Sequence, residues 1–183
     1  MPAAKDSSLQ RLYSRPGFLL RRAHQISVAL FERECAPLGL TPAQYSVLSV
    51  LRQRDGLDQT SLAKAIGFDT VTTLRVLALM EKRGLVVRER LETDRRTNAV
   101  RLTAEGLALY AKAQKPVERA YRQLNAPFTT PQQAQLVRLL EQLIDALDGH
   151  ARAPLVRDAA DEGEARPEPG RPAAAKAAAR RRA

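Results

Sequence analysis

Between Pro16 and Leu147 apolar residues recur every three or four positions in six blocks, broken once by a short stretch with strand character. The first block runs from about Pro16 to Cys35. Phe18, Leu19, Ala23, Ile26, Leu30 and Phe31 keep helical spacing, and Pro37 and Gly39 end the pattern. The second opens on Thr41-Pro42-Ala43-Gln44: a hydroxyl at the N-cap, proline at the first helical position, and a glutamine able to reach back. Tyr45, Leu48, Val50 and Leu51 form its buried side, and the polar, Gly56-containing stretch Arg52–Leu57 reads as a turn. Asp58 caps a short helix carrying Leu62, Ala63 and Ile66. Gly67 breaks it, and Asp69 caps another helix that runs to about Arg83.

Two short helices joined by a tight glycine turn make a helix-turn-helix pattern. Gly84 then stops the second helix. Leu85–Arg90 reads as a strand and Ala99–Leu102 as its partner, with a polar, cationic turn, Glu92–Asn98, between them: a wing. Thr103 and Glu105 open a long helix through Leu107, Tyr110, Val117, Tyr121 and Leu124, which Pro116 is expected to kink or interrupt. Thr130-Pro131-Gln132-Gln133 repeats the earlier start signal. Leu136, Leu139, Leu140, Leu143, Ile144 and Leu147 follow as an unbroken apolar stripe. The reading head is complete without this last helix, so its stripe suits a dimer interface, although packing within its own domain gives the same pattern. The expected fold is mainly α with a small β-wing: a winged helix-turn-helix, plus a helical dimerisation region formed by N- and C-terminal helices.

The expected organisation is a flexible N-terminus over residues 1–10 and one domain over 11–150. Within the domain, the winged helix-turn-helix covers about 41–103 and the dimerisation helices about 14–36 and 104–148. From Ala151 the composition shifts to Ala, Pro, Arg and Glu, which reads as a disordered basic tail over 151–183. Such a tail adds sequence-independent phosphate contacts through counterion release, or merely solubilises the chain.

The formal net charge of +10 points to a polyanionic partner, with a solvated basic surface as the alternative. Cys35 is the only cysteine, so neither an internal disulfide nor a thiolate cluster is available, and a structural role fits it better than oxidant sensing. No apolar run approaches a membrane span and the N-terminus lacks a signal-peptide core, so the expected location is cytoplasmic, at the nucleoid. With two histidines, His24 and His150, and no phosphate loop, metal-spaced cluster or nucleophile motif, no catalytic residue, metal or cofactor is assigned.

The ordered pieces together resemble the MarR-type (multiple antibiotic resistance regulator) winged-helix family. The resemblance rests on Gly39–Tyr45, on Leu62-Ala63 before Gly67, and on Met80-Glu81-Lys82-Arg83-Gly84-Leu85-Val86. It rests most on Asp94-Arg95-Arg96 followed by Val100-Arg101-Leu102-Thr103 and Gly106. It covers roughly Pro16 to Leu147. It implies an obligate homodimer, typically a repressor, bound to double-stranded operator DNA and often released by an anionic phenolic or aromatic carboxylate ligand. Arg15–Gln25 is similar to members that control breakdown of aromatic acids, nicotinate among them.

The helix Asp69–Arg83 is expected in the major groove. Thr70 and Thr72 would meet phosphates or base edges, Val71 a thymine methyl, and Arg75 a guanine through a bidentate contact. Two registers are open: Thr73, Val76, Leu77 and Met80 are buried, as in the family, or Val71, Leu74 and Ala78 are. On the wing, Arg96 is assigned to a minor groove, with Arg95 beside it. Asp94 would shape the turn, and Arg88, Arg90 and Arg101 would serve phosphates. Arg21, His24, Gln25 and Tyr45 are candidates to hold the anionic effector, with ordinary surface roles as the alternative. An architectural DNA-binding protein with little sequence preference and no ligand is the rival function.

Overall fold

The computed structural model describes residues 6–90 and 98–157. Among the described residues, seven α-helices and a three-stranded antiparallel sheet follow in the order α1 (Asp6–Tyr13), α2 (Pro16–Cys35), α3 (Pro42–Gln53), β1 (Leu57–Asp58), α4 (Gln59–Ile66), α5 (Thr70–Lys82), β2 (Val86–Arg90), β3 (Asn98–Leu102), α6 (Ala104–Asn125) and α7 (Thr130–Leu147). Asp6–Tyr13, which overlaps the stretch expected to be a flexible N-terminus, is helical, and its Tyr13 ring lies 5.3 Å from that of Phe18.

The start of α3 is built as its sequence suggests. The Thr41 hydroxyl accepts from the Gln44 N–H at 3.3 Å, and Gln44 Oε1 accepts from the Thr41 N–H at 3.3 Å. Asp58 caps α4 through the N–H groups of Thr60 (2.8 Å) and Ser61 (3.0 Å). The α4–α5 turn passes through Gly67 at φ 67°, a left-handed conformation that favours glycine.

Leu57-Asp58 is a strand rather than the end of a turn. Leu57 pairs with Val100 and Asp58 with Ala99, so β3 lies between β1 and β2. Pro116 does not interrupt α6, because Ala113, Val117 and Ala120 on either side of it are buried and hold the helix in place. The cap of α7 falls one residue before the expected one: Gln132 Oε1 accepts from the Thr129 N–H at 2.8 Å and from its hydroxyl at 3.1 Å.

The core is centred on Val47, Leu48 and Leu51 of α3, Leu62 of α4, Leu77 and Met80 of α5, and Val86 and Val100 of the sheet. Phe31 and Cys35 of α2 and Ala113 and Val117 of α6 join it from the other side. By contrast, α7 buries none of its residues, and Leu136, Leu139, Leu143, Ile144 and Leu147 are exposed on it. Leu19, Leu20 and Ile26 of α2 are exposed as well. Within the expected tail, Leu155 and Val156 are half-buried, and residues 158–183 lie outside the described residues.

Candidate nucleic-acid interface and effector cleft

The register of α5 is resolved in favour of the Thr73 stripe. Thr73, Leu77 and Met80 are fully buried and Val76 packs against the core, whereas Val71 is 57% and Leu74 39% exposed. A threonine can occupy that stripe because its hydroxyl donates back to the Asp69 carbonyl at 3.0 Å, leaving no unsatisfied polar atom in the core. Thr70 and Arg75 are exposed beside Val71 and Leu74, and no partner of Arg75 is present among the described residues. These four side chains form the outward face at the start of the second helix of the pair, the face that meets base edges in helix-turn-helix proteins.

Thr72 is less free than its sequence position suggests. Its hydroxyl donates to Asp69 Oδ2 at 2.8 Å while its N–H donates to Asp69 Oδ1 at 2.8 Å. The hydroxyl proton is therefore committed to the cap. The same two Thr72 bonds, the backbone one first, hold the Asp69 carboxyl below the usual carboxylate range.

Arg88 lies against Glu81 of α5 at 2.5 Å. Arg101 pairs with Asp55 and, at 3.3 Å, with Glu89. Both arginines, assigned to phosphates from the sequence, thus have intramolecular carboxylate partners that brace the sheet against the head. Arg95, Arg96 and Asp94 lie outside the described residues, as does the Arg90 side chain.

Two further braces have no obvious signature in the sequence. At the end of α5, Arg83 donates to the carbonyls of Gly39 (2.7 Å) and Leu38 (3.0 Å) and to Gln44 Oε1 (3.2 Å). That clamps the C-terminus of the reading helix to the start of α3. At the root of the wing, the Thr103 N–H donates to the Leu85 carbonyl at 3.1 Å and its hydroxyl to the Gly84 carbonyl at 2.6 Å. The Gly106 N–H donates to that same hydroxyl at 3.0 Å. A Cβ on Gly106 would stand 2.1 Å from the Leu85 carbonyl oxygen, so this close approach requires glycine.

A cleft of about 130 Å³ opens where α2, α3 and α6 meet, lined by His24, Ser27, Phe31, Tyr45, Ser46 and Tyr121 among others. Its size is that of a single aromatic ring, since a cavity of about 150 Å³ accommodates benzene. The Tyr45 ring stacks on Tyr110 at 5.9 Å and meets Phe31 at 5.8 Å, which fixes its orientation. Burial, with Tyr45 and Cys35 nearby, pushes the Tyr121 hydroxyl above its ordinary pKa and keeps it a neutral donor. Of the four residues expected to hold an effector, His24 and Tyr45 line this cleft. Arg21 does not: its guanidinium lies over the Phe18 ring at 5.1 Å. Gln25 accepts from Arg22 at 3.3 Å and is likewise outside the lining. Ser27, Ser46 and Tyr121 were not singled out from the sequence, because only the packing of α6 against α2 and α3 brings them together.

Residues 40–97 match the model of the MarR family. The chain is 34% identical over 125 residues to the homoprotocatechuate degradative operon repressor of Escherichia coli, covering 68% of this chain and 84% of that repressor. Among solved structures, the transcriptional repressor CouR bound to a 23-mer DNA duplex superimposes with a TM-score of 0.69 at 34% identity, covering 72% of this chain and 94% of that one. Bordetella bronchiseptica BpsR, described with a mechanism for regulation of its DNA binding by 6-hydroxynicotinic acid, superimposes with a TM-score of 0.70 at 29% identity. That match covers 73% of this chain and 95% of BpsR.

Proposed function

Because the chain belongs to the MarR family, we propose that it is a dimeric, sequence-specific transcriptional repressor whose hold on its operator is released by a single-ring aromatic acid. The observation that carries the DNA reading is the outward face of α5. Exposed Val71 and Leu74 have no structural reason to be apolar, and they flank Arg75 on a helix whose opposite stripe is fully buried. Arg75 reads guanine, Val71 a thymine methyl and Thr70 a phosphate, while Arg96 of the wing enters a flanking minor groove. The two protomers join through α7 and the exposed apolar residues of α1 and α2, which sets two reading heads on two half-sites.

The cleft supports the effector. Its hydroxyls and His24 offer hydrogen bonds to a ring carboxylate and to a ring hydroxyl, and Phe31 and Tyr45 offer aromatic faces. Its walls belong to α3, clamped to α5 by Arg83, and to α6, whose first turn holds the wing root. A ligand that moves α3 relative to α6 therefore shifts both DNA-contacting elements at once. The chain acts by binding, not by turnover, and works in the cytoplasm.

The test is selection of bound fragments from the source genome, followed by competition against scrambled duplex at physiological salt. A preference of about a thousandfold or more is expected. Equal affinity for the two duplexes would favour the architectural alternative and reject the proposal. Titrating the operator complex with 6-hydroxynicotinate and homoprotocatechuate as probes checks the second half. Release by either supports the aromatic-acid class, and an unchanged complex across a wider panel of single-ring acids rejects it.

A further inference from the structure

The hairpin of α6 and α7 is joined to the reading head at both of its ends. The first junction is the wing root, where the Thr103 hydroxyl donates to the Gly84 carbonyl at 2.6 Å. From there α6 is fixed along α2: the Glu34 carboxylate accepts from Arg119 Nε and from Gln123 Nε2, both at 2.7 Å. By contrast, α7 buries none of its residues against this chain. Its far end is tied by residues 155–157 instead. On the α7 side, the Leu155 N–H donates to the Asp148 carboxylate at 3.2 Å and Arg157 pairs with Asp145 at 3.2 Å. On the head side, the Val156 N–H donates to the Lys64 carbonyl, in the last turn of α4, at 3.1 Å. The Leu155 side chain lies over the α4–α5 turn, where Cδ1 would be 3.6 Å from a Cβ on Gly67.

The sequence of this segment suits a bridge. After Leu147, Leu155 and Val156 are the only large aliphatic residues, and both are half-buried. Pro154 restricts the backbone that leads into them. The Arg157–Asp145 pair is exposed and adds little, so two main-chain donors and the Leu155 side chain make the link. What the link restrains is rotation at the turn between α6 and α7. With 18 residues, α7 is about 27 Å long, so a rotation of about 10° there would part its end from α4 by about 5 Å. That exceeds the rise of one DNA base pair, about 3.4 Å.

We propose that residues 155–157 are a strap that fixes the reading head relative to α7 and so makes the dimer selective for the spacing of its two half-sites. The inference rests on the dimeric, operator-binding reading and deepens it. Protomers that join through α7 transmit any looseness between α7 and the head directly to the separation of the two heads. One inserted base pair moves a half-site by about 3.4 Å and turns it by about 35° around the DNA axis. A strapped head cannot follow, whereas a head freed at the strap recovers part of the mismatch by swinging. The strap engages main-chain groups and the Gly67 turn, and none of the side chains assigned to DNA, so binding to a single half-site should not depend on it.

The experiment compares the full chain with its Val156→Pro, Asp148→Ala and doubly substituted forms. The first substitution removes the donor to Lys64, and the second removes the acceptor at the end of α7. Fluorescence anisotropy gives their affinities for the selected operator, for operators with one base pair inserted or deleted between the half-sites, and for a single half-site. The parent is expected to bind the altered spacings at least about tenfold more weakly than the operator, and each variant no more than about threefold more weakly. The double form should match either single one, because cutting the strap at either end frees the same rotation. Half-site affinity should stay parental throughout. A folded single variant that keeps the parental spacing ratio overturns the strap, as does a parent indifferent to spacing. Equal losses on the half-site and the operator would mean that the segment only stabilises the head, and overturn it too. If the parent binds no operator, the DNA reading itself fails and the strap with it.

Discussion

Gly106→Ala is a one-carbon change at the second residue after the start of α6's first turn, and the structure predicts a cost far beyond its size. The added Cβ would lie 2.1 Å from the Leu85 carbonyl oxygen and 3.1 Å from its carbon. The obstacle is main chain, so no rotamer change relieves it. Either α6 slides outward or Leu85 moves, and Leu85 O also accepts the Thr103 N–H at 3.1 Å. Movement in either direction strains the Thr103 hydroxyl, which bridges Gly84 O and the Gly106 N–H. Overpacking of this kind costs about 1–3 kcal/mol, and a rigid backbone opponent puts the change at the upper end, about 3 kcal/mol. For a chain of this length that is a fall in Tm of about 6–12 °C. Thermal unfolding by circular dichroism measures it, at one fixed protein concentration because dimerisation makes Tm concentration-dependent. Gly149→Ala is the control: no heavy atom stands within 4 Å of its added Cβ and its φ is not in the left-handed region, so it should stay within about 0.5 kcal/mol of the parent. Operator affinity should fall with the first variant and hold with the second. A Gly106→Ala protein that melts within about 2 °C of the parent would refute the claim that α6 and the wing root are locked together by this contact.

Arg75→Ala should weaken operator binding by about 1–3 kcal/mol and relax selectivity at one base pair, seen by fluorescence anisotropy on a series of single-base operator variants. Arg96→Ala should weaken operator binding at least tenfold while gel filtration still returns the parental dimer; equal affinity would remove the wing from the interface. Leu143→Glu, on the exposed stripe of α7, should shift sedimentation equilibrium toward the monomer, and a dimer of parental strength would place the interface elsewhere. Burial of Asp58 alone would raise its pKa, but hydrogen bonds from the Ser61 and Thr60 groups and the charge of Lys64 outweigh it and hold the carboxyl below the ordinary range. Its folded pKa is the lower one, so the stabilisation is present above the unfolded pKa of about 3.9 and is lost as pH falls through the folded value. Asp58→Ala should cost about 0.5–2 kcal/mol in urea unfolding at neutral pH, and the gap to the parent should narrow at acid pH; a constant gap would refute the cap's charge dependence.

What the sequence revealed and what it withheld divide by the range of the interactions. Caps and turns are local, so Thr41, Asp58, Asp69 and Gly67 each marked an element end that the structure keeps. The register of α5 was not legible, because two apolar stripes competed and the buried one contains a polar residue. Thr73 looks misplaced until its bond to the Asp69 carbonyl is seen, and that bond exists only in the helix it helps to form. β1 escaped notice because two residues are too few to show alternation and its partner, Val100, is far along the chain. The cleft was half legible for the same reason. His24 and Tyr45 stand out by their chemistry, whereas Tyr121 and Ser46 join them only through packing of α6 across α2 and α3. Arg21 stands out by its charge, but it has a local competitor for that charge: Phe18, one helical turn earlier, offers its ring face to the guanidinium. A side chain to hold the effector carboxylate therefore has to come from His24 or from the second protomer. In the first case His24→Ala should abolish effector-driven release of DNA, and in the second it should leave release intact. Release measured on the His24→Ala protein thus distinguishes a site completed within one chain from one completed by the dimer.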